Sequence, residues 1–111
     1  MVSGQAVCRG DVLLVDFDPA RGGEIRKARP CLVVSPDELN RHLRTLIVAP
    51  MTTGGHSYPF RAPCRFGGKK GHVVLDQIRT VDRDRMIRRL GRLSPRSTRR
   101  SLNRLQEMLA P

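Results

Sequence analysis

Aromatic residues are scarce in this 111-residue chain, with one Tyr, three Phe and no Trp. Phe17, Tyr58, Phe60 and Phe66 are too few for the extended base-stacking platforms that bind single strands generically. Cysteine is equally sparse: Cys8, Cys31 and Cys64 are an odd number without C-x-x-C spacing, which excludes a disulfide framework and a structural zinc site. Cys31 lies in an apolar run and is expected in the core, whereas Cys8 and Cys64 flank basic loops. The uninterrupted apolar stretches run only a few residues, far short of the ~20 that span a bilayer. Met1 to Gly10 carries one basic residue and no apolar h-region, so neither a secretory signal nor a transit peptide is read and a cytoplasmic address is expected. His42, His56 and His72 are scattered, no His/Asp/Glu group has zinc or two-metal spacing, and no cofactor is expected.

Acid is scarce in one half of the chain. Residues 1–60 hold seven Lys/Arg against six Asp/Glu, and residues 61–111 hold fourteen against four, which concentrates most of the +11 net charge in the second half. A field of that sign attracts polyanions by steering and counterion release. RNA or DNA ranks ahead of a membrane surface, because no large amphipathic apolar face accompanies the charge. The competing reading is a solvated basic face kept for solubility or for an acidic protein partner.

The length fits one compact domain, 1–111, with a single core. Val12–Val15, Cys31–Val34, Leu46–Ala49 and Val73–Leu75 are short apolar runs rich in β-branched residues and bounded by turn formers, and they read as strands. Met86, Ile87, Leu90 and Leu93 among arginines suggest a further strand without clean alternation. Ser35-Pro36-Asp37-Glu38 reads as a capping box opening a short helix to about His42. Ser94-Pro95 again sets a cap before an N1 proline, and Leu102, Leu105, Met108 and Leu109 fall on one face of a terminal amphipathic helix. Five or six strands that do not alternate with helices predict a mainly β, α+β fold: a small antiparallel barrel with a middle and a C-terminal helix. Two glycine-bearing loops, Asp18 to Ala28 and Met51 to Ser57, are where a site is expected.

Gly10-Asp11-Val12, Asp16-Phe17-Asp18-Pro19, Gly22-Gly23-Glu24, Arg29-Pro30, Val33-Val34-Ser35-Pro36, Val48-Ala49-Pro50-Met51-Thr52-Thr53, Tyr58-Pro59-Phe60 and Leu75-Asp76-Gln77-Ile78-Arg79 succeed one another in an order that resembles the MazF/PemK family of toxin endoribonucleases. The resemblance covers about residues 10–93. It implies an SH3-like barrel of the CcdB/PemK type, a homodimer, cleavage of single-stranded RNA at short motifs, and an acidic antitoxin as partner. The family's catalytic arginine and threonine correspond to Arg29 and Thr52. The chemistry that the resemblance implies is attack of the ribose 2′-OH on the adjacent phosphate, giving 2′,3′-cyclic phosphate and 5′-OH ends without a metal ion.

Those residue types suit that reaction. A guanidinium can grip two nonbridging oxygens as charge builds on them, and a threonine hydroxyl can donate to the same oxygens. Arginine, with a pKa above about 12, is a poor general base, so Glu24, in the loop five residues earlier, is the candidate for proton transfer. Lys27, Thr53, His56, Lys69, Lys70, Gln77 and Arg79 complete the expected RNA-binding set, and Asp76 reads as structural. Lys69-Lys70, flanked by glycines and without a P-loop, reads equally as a phosphate contact or a hairpin tip. Two other functions remain open on sequence alone: a CcdB-like gyrase poison, disfavoured by the absence of an aromatic C-terminal tail, and a non-catalytic barrel that binds nucleic acid through charge.

Overall fold

The computed structural model describes residues 6–19, 22–24, 27–55 and 57–111. Among these run β1 (Asp11–Asp16), β2 (Ala28–Val33), α1 (Asp37–His42), β3 (Thr45–Thr53), β4 (Arg61–Phe66), β5 (Lys69–Val74), β6 (Arg79–Asp82), β7 (Met86–Arg92) and α2 (Pro95–Leu109). The ladder runs in the order β4-β5-β3-β2-β1-β7, with β6 beside the first half of β3, and every pairing is antiparallel.

The apolar runs lack an in/out alternation because the central strands are buried on both faces. Leu13, Val15, Cys31, Val33, Leu46 and Val48 enter one cluster with Phe17, Val81 and Met86. Their neighbours Val12, Leu32, Val34, Ala49 and Met51 enter a second with Ala62, Val73, Leu75 and Leu93. This second cluster is covered by α2 through Leu102 and Leu105. The two ends of the ladder meet through packing: Phe66 of β4 lies against Gly91 of β7, where a Cβ would stand 3.3 Å from its ring. That contact brings the two ends of the open sheet together, in a form compatible with a barrel.

Several expectations need correction. Among the described residues there are seven strands where five or six were expected, because β4 and β6 carry little apolar signal: β4 holds two arginines and Pro63, and β6 buries Val81 alone. Pro63 is tolerated because β4 ends the ladder, where a missing N–H breaks no inner pairing. The capping box at Ser35 does not form. The helix cap falls one residue later, at Pro36, and the buried Ser35 hydroxyl instead donates to Asn40 Oδ1 (2.6 Å) and accepts from the Ile47 N–H (3.1 Å). It ties α1 to β3. At α2 the cap is as expected, with Ser94 Oγ accepting from the Ser97 N–H at 3.1 Å and Pro95 next in the chain. Leu109, however, leaves the apolar face and is 67% exposed. The uneven pattern of β7 reflects two register shifts against β1, between Val12 and Leu13 and between Leu14 and Val15.

Candidate active site

Two prolines open the site. β2 and β3 pair as Val33↔Val48, Leu32↔Ala49 and Cys31↔Pro50, and there the ladder stops, since Pro30 has no N–H with which to continue it. Carried two residues further, the same register sets Arg29 across from Thr52. Both strands leave the core at this point: burial falls from Cys31 to an exposed Arg29 on β2, and from Met51 through Thr52 to an exposed Thr53 on β3. Between them lies a cavity of about 300 Å³ lined by Arg29, Pro30, Met51, Thr52 and Thr53 on one side and by Cys64, Phe66, Lys69 and Lys70 on the other.

The far wall is the β4–β5 hairpin. Phe66 pairs with Lys69 across a two-residue Gly67-Gly68 turn in which both glycines have positive φ (59° and 77°), the geometry that a tight hairpin of this twist demands. Lys69 and Lys70 are therefore both hairpin residues and cavity residues. β5 then crosses β3 closely enough that a Cβ at Gly71 would lie 1.7 Å from the Thr52 carbonyl oxygen. Only glycine allows that approach. Beyond Thr53 the loop is tied back to β5: the Gly54 N–H donates to the Lys70 carbonyl (2.8 Å), and the Gly54 carbonyl lies 3.0 Å from His72 Nδ1. Thr52 is thus fixed from both sides by backbone.

Arg29, Thr52, Lys69 and Lys70 make no side-chain hydrogen bond or ion pair among the described residues, and no carboxylate lines their cavity. Burial raises the pKa of the Cys64 thiol in the wall, which keeps it neutral.

The remaining expected site residues lie elsewhere. Glu24 lines a second cleft of about 660 Å³ with Asp76, Gln77, Arg79 and Thr80, so the carboxylate expected as base is not in the Arg29–Thr52 cavity. Arg79, opposite Val48 on β6, stacks its guanidinium 5.1 Å from the Phe17 ring. Asp76 accepts two hydrogen bonds from Arg61 (2.9 and 3.1 Å), as a structural residue would, and that pairing lowers its pKa. Lys27 is exposed and lines neither cleft; its N–H donates to Asp18 Oδ1 and its carbonyl accepts from Phe17, closing the neck of the first loop. His56 falls outside the described residues. Among the described residues no group of three or more His, Cys, Asp or Glu is arranged to hold a metal ion.

Sequence reasoning missed Gly71 as a residue that builds the site and Asp11 as one that builds the fold. Asp11 is 2% exposed and its carboxylate accepts from the Cys8 N–H (2.9 Å), Arg89 (3.3 Å) and Arg92 (3.2 Å), fastening β7 to β1. An acid at a strand start, with arginines recurring late in the chain, was the available signal. Arg85 likewise spends its donors on the Asp16 and Asp18 carbonyls, at 3.1 and 2.8 Å. Part of the arginine excess is therefore structural.

The architecture is that of the small ribonuclease-toxin barrels. MazF from Deinococcus radiodurans superposes with a TM-score of 0.83 at 26% identity, covering 95% of this chain and 97% of its own. A mycobacterial endoribonuclease solved in complex with its cognate antitoxin gives 0.79 at 26% identity, covering 94% and 95%. In sequence, the endoribonuclease toxin ChpB of Escherichia coli K12 is 35% identical over 116 residues, 98% of this chain and 99% of that protein. Residues 8–109 match the family of PemK-like, MazF-like toxins of type II toxin–antitoxin systems, and the chain belongs to that family.

Proposed function

We propose that this toxin-family endoribonuclease cuts single-stranded RNA by a metal-independent transesterification at the Arg29–Thr52 cavity. The carrying observation is that cavity itself: an unpaired guanidinium and a threonine hydroxyl set across one gap, with Lys69 and Lys70 on the opposite wall and no carboxylate among them. The ribose 2′-oxygen attacks phosphorus and the bond from phosphorus to the 5′-oxygen breaks. The 2′-hydroxyl proton is lost and the leaving oxygen gains one, so no water or cofactor is consumed and the ends are 2′,3′-cyclic phosphate and 5′-OH. Arg29 holds two nonbridging oxygens and Thr52 donates to one of them, stabilising charge that is larger in the transition state than in the ground state. The two lysines supply positive charge that a metal ion would otherwise bring.

Glu24 is assigned the proton-accepting role. This requires the Asp18–Ala28 loop to carry its carboxylate from the second cleft to the ribose when RNA binds. Lys27, Thr53, His56, Gln77 and Arg79 are assigned to the flanking RNA. The single domain is proposed to act as a cytoplasmic homodimer, and an acidic antitoxin segment is the partner whose chemistry complements the unpaired cations and competes with RNA.

The test is to incubate the protein with mixed-sequence RNA in excess chelator and map the ends. Cleavage with 5′-OH ends, lost in Arg29→Ala and in Thr52→Ala, is expected. Intact RNA, or activity that survives both substitutions, overturns the assignment.

A further inference from the structure

Another cleft, of about 500 Å³, lies on the other side of β5 from the reaction cavity and shares Cys64, Lys70 and Gly71 with it as a common wall. Gly54 and Gly55 form one rim, Arg65 and His72 the hairpin side, and Ser97 and Arg100 of α2 the opposite side. Arg65 and Lys70 stand directly across from one another in the β4–β5 ladder. Like charges in that position repel. Neither side chain has an acidic partner among the described residues, so nothing in the fold offsets the repulsion. Arg100 approaches the same place from α2, its Nη1 only weakly held by the Pro63 carbonyl at 3.5 Å. The rest of its guanidinium remains available.

Three cations brought together from three elements, without a carboxylate in the cleft, make a site for an anion. We infer that this cleft is a second phosphate site, holding a phosphodiester of the same RNA strand that flanks the one at Arg29 and Thr52, with Arg65 and Arg100 as its main ligands. The inference rests on the RNA reading given under the proposed function. It also accounts for the position of Lys70, which bridges the two cavities and can touch successive phosphates. Gly54 and Gly55 keep the path between them free of side chains, and His72, fixed to the Gly54 carbonyl, holds that rim in position.

The experiment measures binding of the full chain to two 2′-O-methylated, uncleavable single-stranded RNAs, one of about 4 and one of about 12 nucleotides, across a salt series. The double variant Arg65→Ala/Arg100→Ala is expected to bind the longer RNA about tenfold more weakly and to flatten its log–log salt slope by about 0.7, the value for one single-strand phosphate no longer neutralised. The shorter RNA should lose under about twofold. Arg65→Lys/Arg100→Lys should restore most of the slope, since the charge count is kept. Should the alanine pair fail to fold, Arg65→Gln/Arg100→Gln carries the same test, with the same slope change of about 0.7. An unchanged slope, or equal losses for both RNAs, overturns the inference. So does loss of affinity for an acidic polypeptide such as polyglutamate with RNA affinity retained. Failure of the nuclease reading shows itself separately, as unmodified RNA left intact by the unaltered protein.

Discussion

The cavity at Arg29 and the cleft at Glu24 differ in how their charges are matched. The first gathers Arg29, Lys69 and Lys70 with no acid among its lining residues. The second mixes Glu24 and Asp76 with Arg79, and its charges are engaged within the fold: Asp76 by Arg61, Arg79 over Phe17. Unpaired cations held close together destabilise a fold unless an anion arrives, whereas a matched set is stable without one. The first cavity is thus built for phosphate, whereas Asp76 in the second cleft belongs to the scaffold. Removing the charge of Arg29 should stop chemistry, and removing that of Asp76 should alter stability slightly.

Arg29→Ala tests this most severely. Loss of a preorganised transition-state donor costs about 10²–10³ in rate, and Arg29 should lie at the upper end because it carries a full charge. Its urea midpoint should not move, since no partner among the described residues loses a bond. A single-turnover rate within tenfold of the unaltered protein would erase the contrast between the clefts.

Gly71→Ala approaches the same cavity through the backbone. A methyl group 1.7 Å from the Thr52 carbonyl forces β5 off β3, with an expected cost of about 3 kcal/mol in urea unfolding. The single-turnover rate should fall with it, because Thr52 shifts relative to Arg29. Stability lost with the rate intact would mean that Thr52 need not be fixed.

Glu24→Gln sharpens the comparison from the other side. As the proton acceptor, Glu24 should contribute about 10² to the single-turnover rate, while RNA affinity stays level. An unchanged rate would leave Glu24 with Asp76 in the scaffold.

How much of the fold and site was legible in the sequence depended on the distance over which each signal acts. Strands buried on both faces announced themselves as apolar runs, and α2 was visible from Ser94-Pro95 and its leucine spacing. Arg29-Pro30 and Pro50-Met51-Thr52 were legible as a motif, and the structure adds the reason the prolines belong to it: they end the ladder and leave the gap. Edge strands β4 and β6 stayed hidden because a polar edge needs little apolar pattern. Asp11 and Gly71 were hidden for another reason. Their roles depend on residues about 80 and 20 positions away, Arg89 and Arg92 for the one and Thr52 for the other, and no local pattern records such pairings. Ser35 was misread for the same cause, since Asn40 and Ile47 compete for its hydroxyl with the local amide.

The smallest expected effect belongs to Asp76. Its hydrogen bonds from Arg61 hold the folded carboxyl below its ordinary value, so the unfolded chain takes up the proton first as pH falls. The pair therefore adds stability above the unfolded carboxylate range near pH 4, and that contribution disappears as pH drops through the lower folded value. With the Asp76 side chain 45% exposed, screening limits it to under about 1 kcal/mol. Asp76→Asn should lower the urea midpoint slightly at pH 7 and converge with the unaltered protein in acid, while cleavage continues at a rate within about twofold. A larger loss of cleavage than of stability would transfer Asp76 from scaffold to substrate binding, beside Gln77 and Arg79.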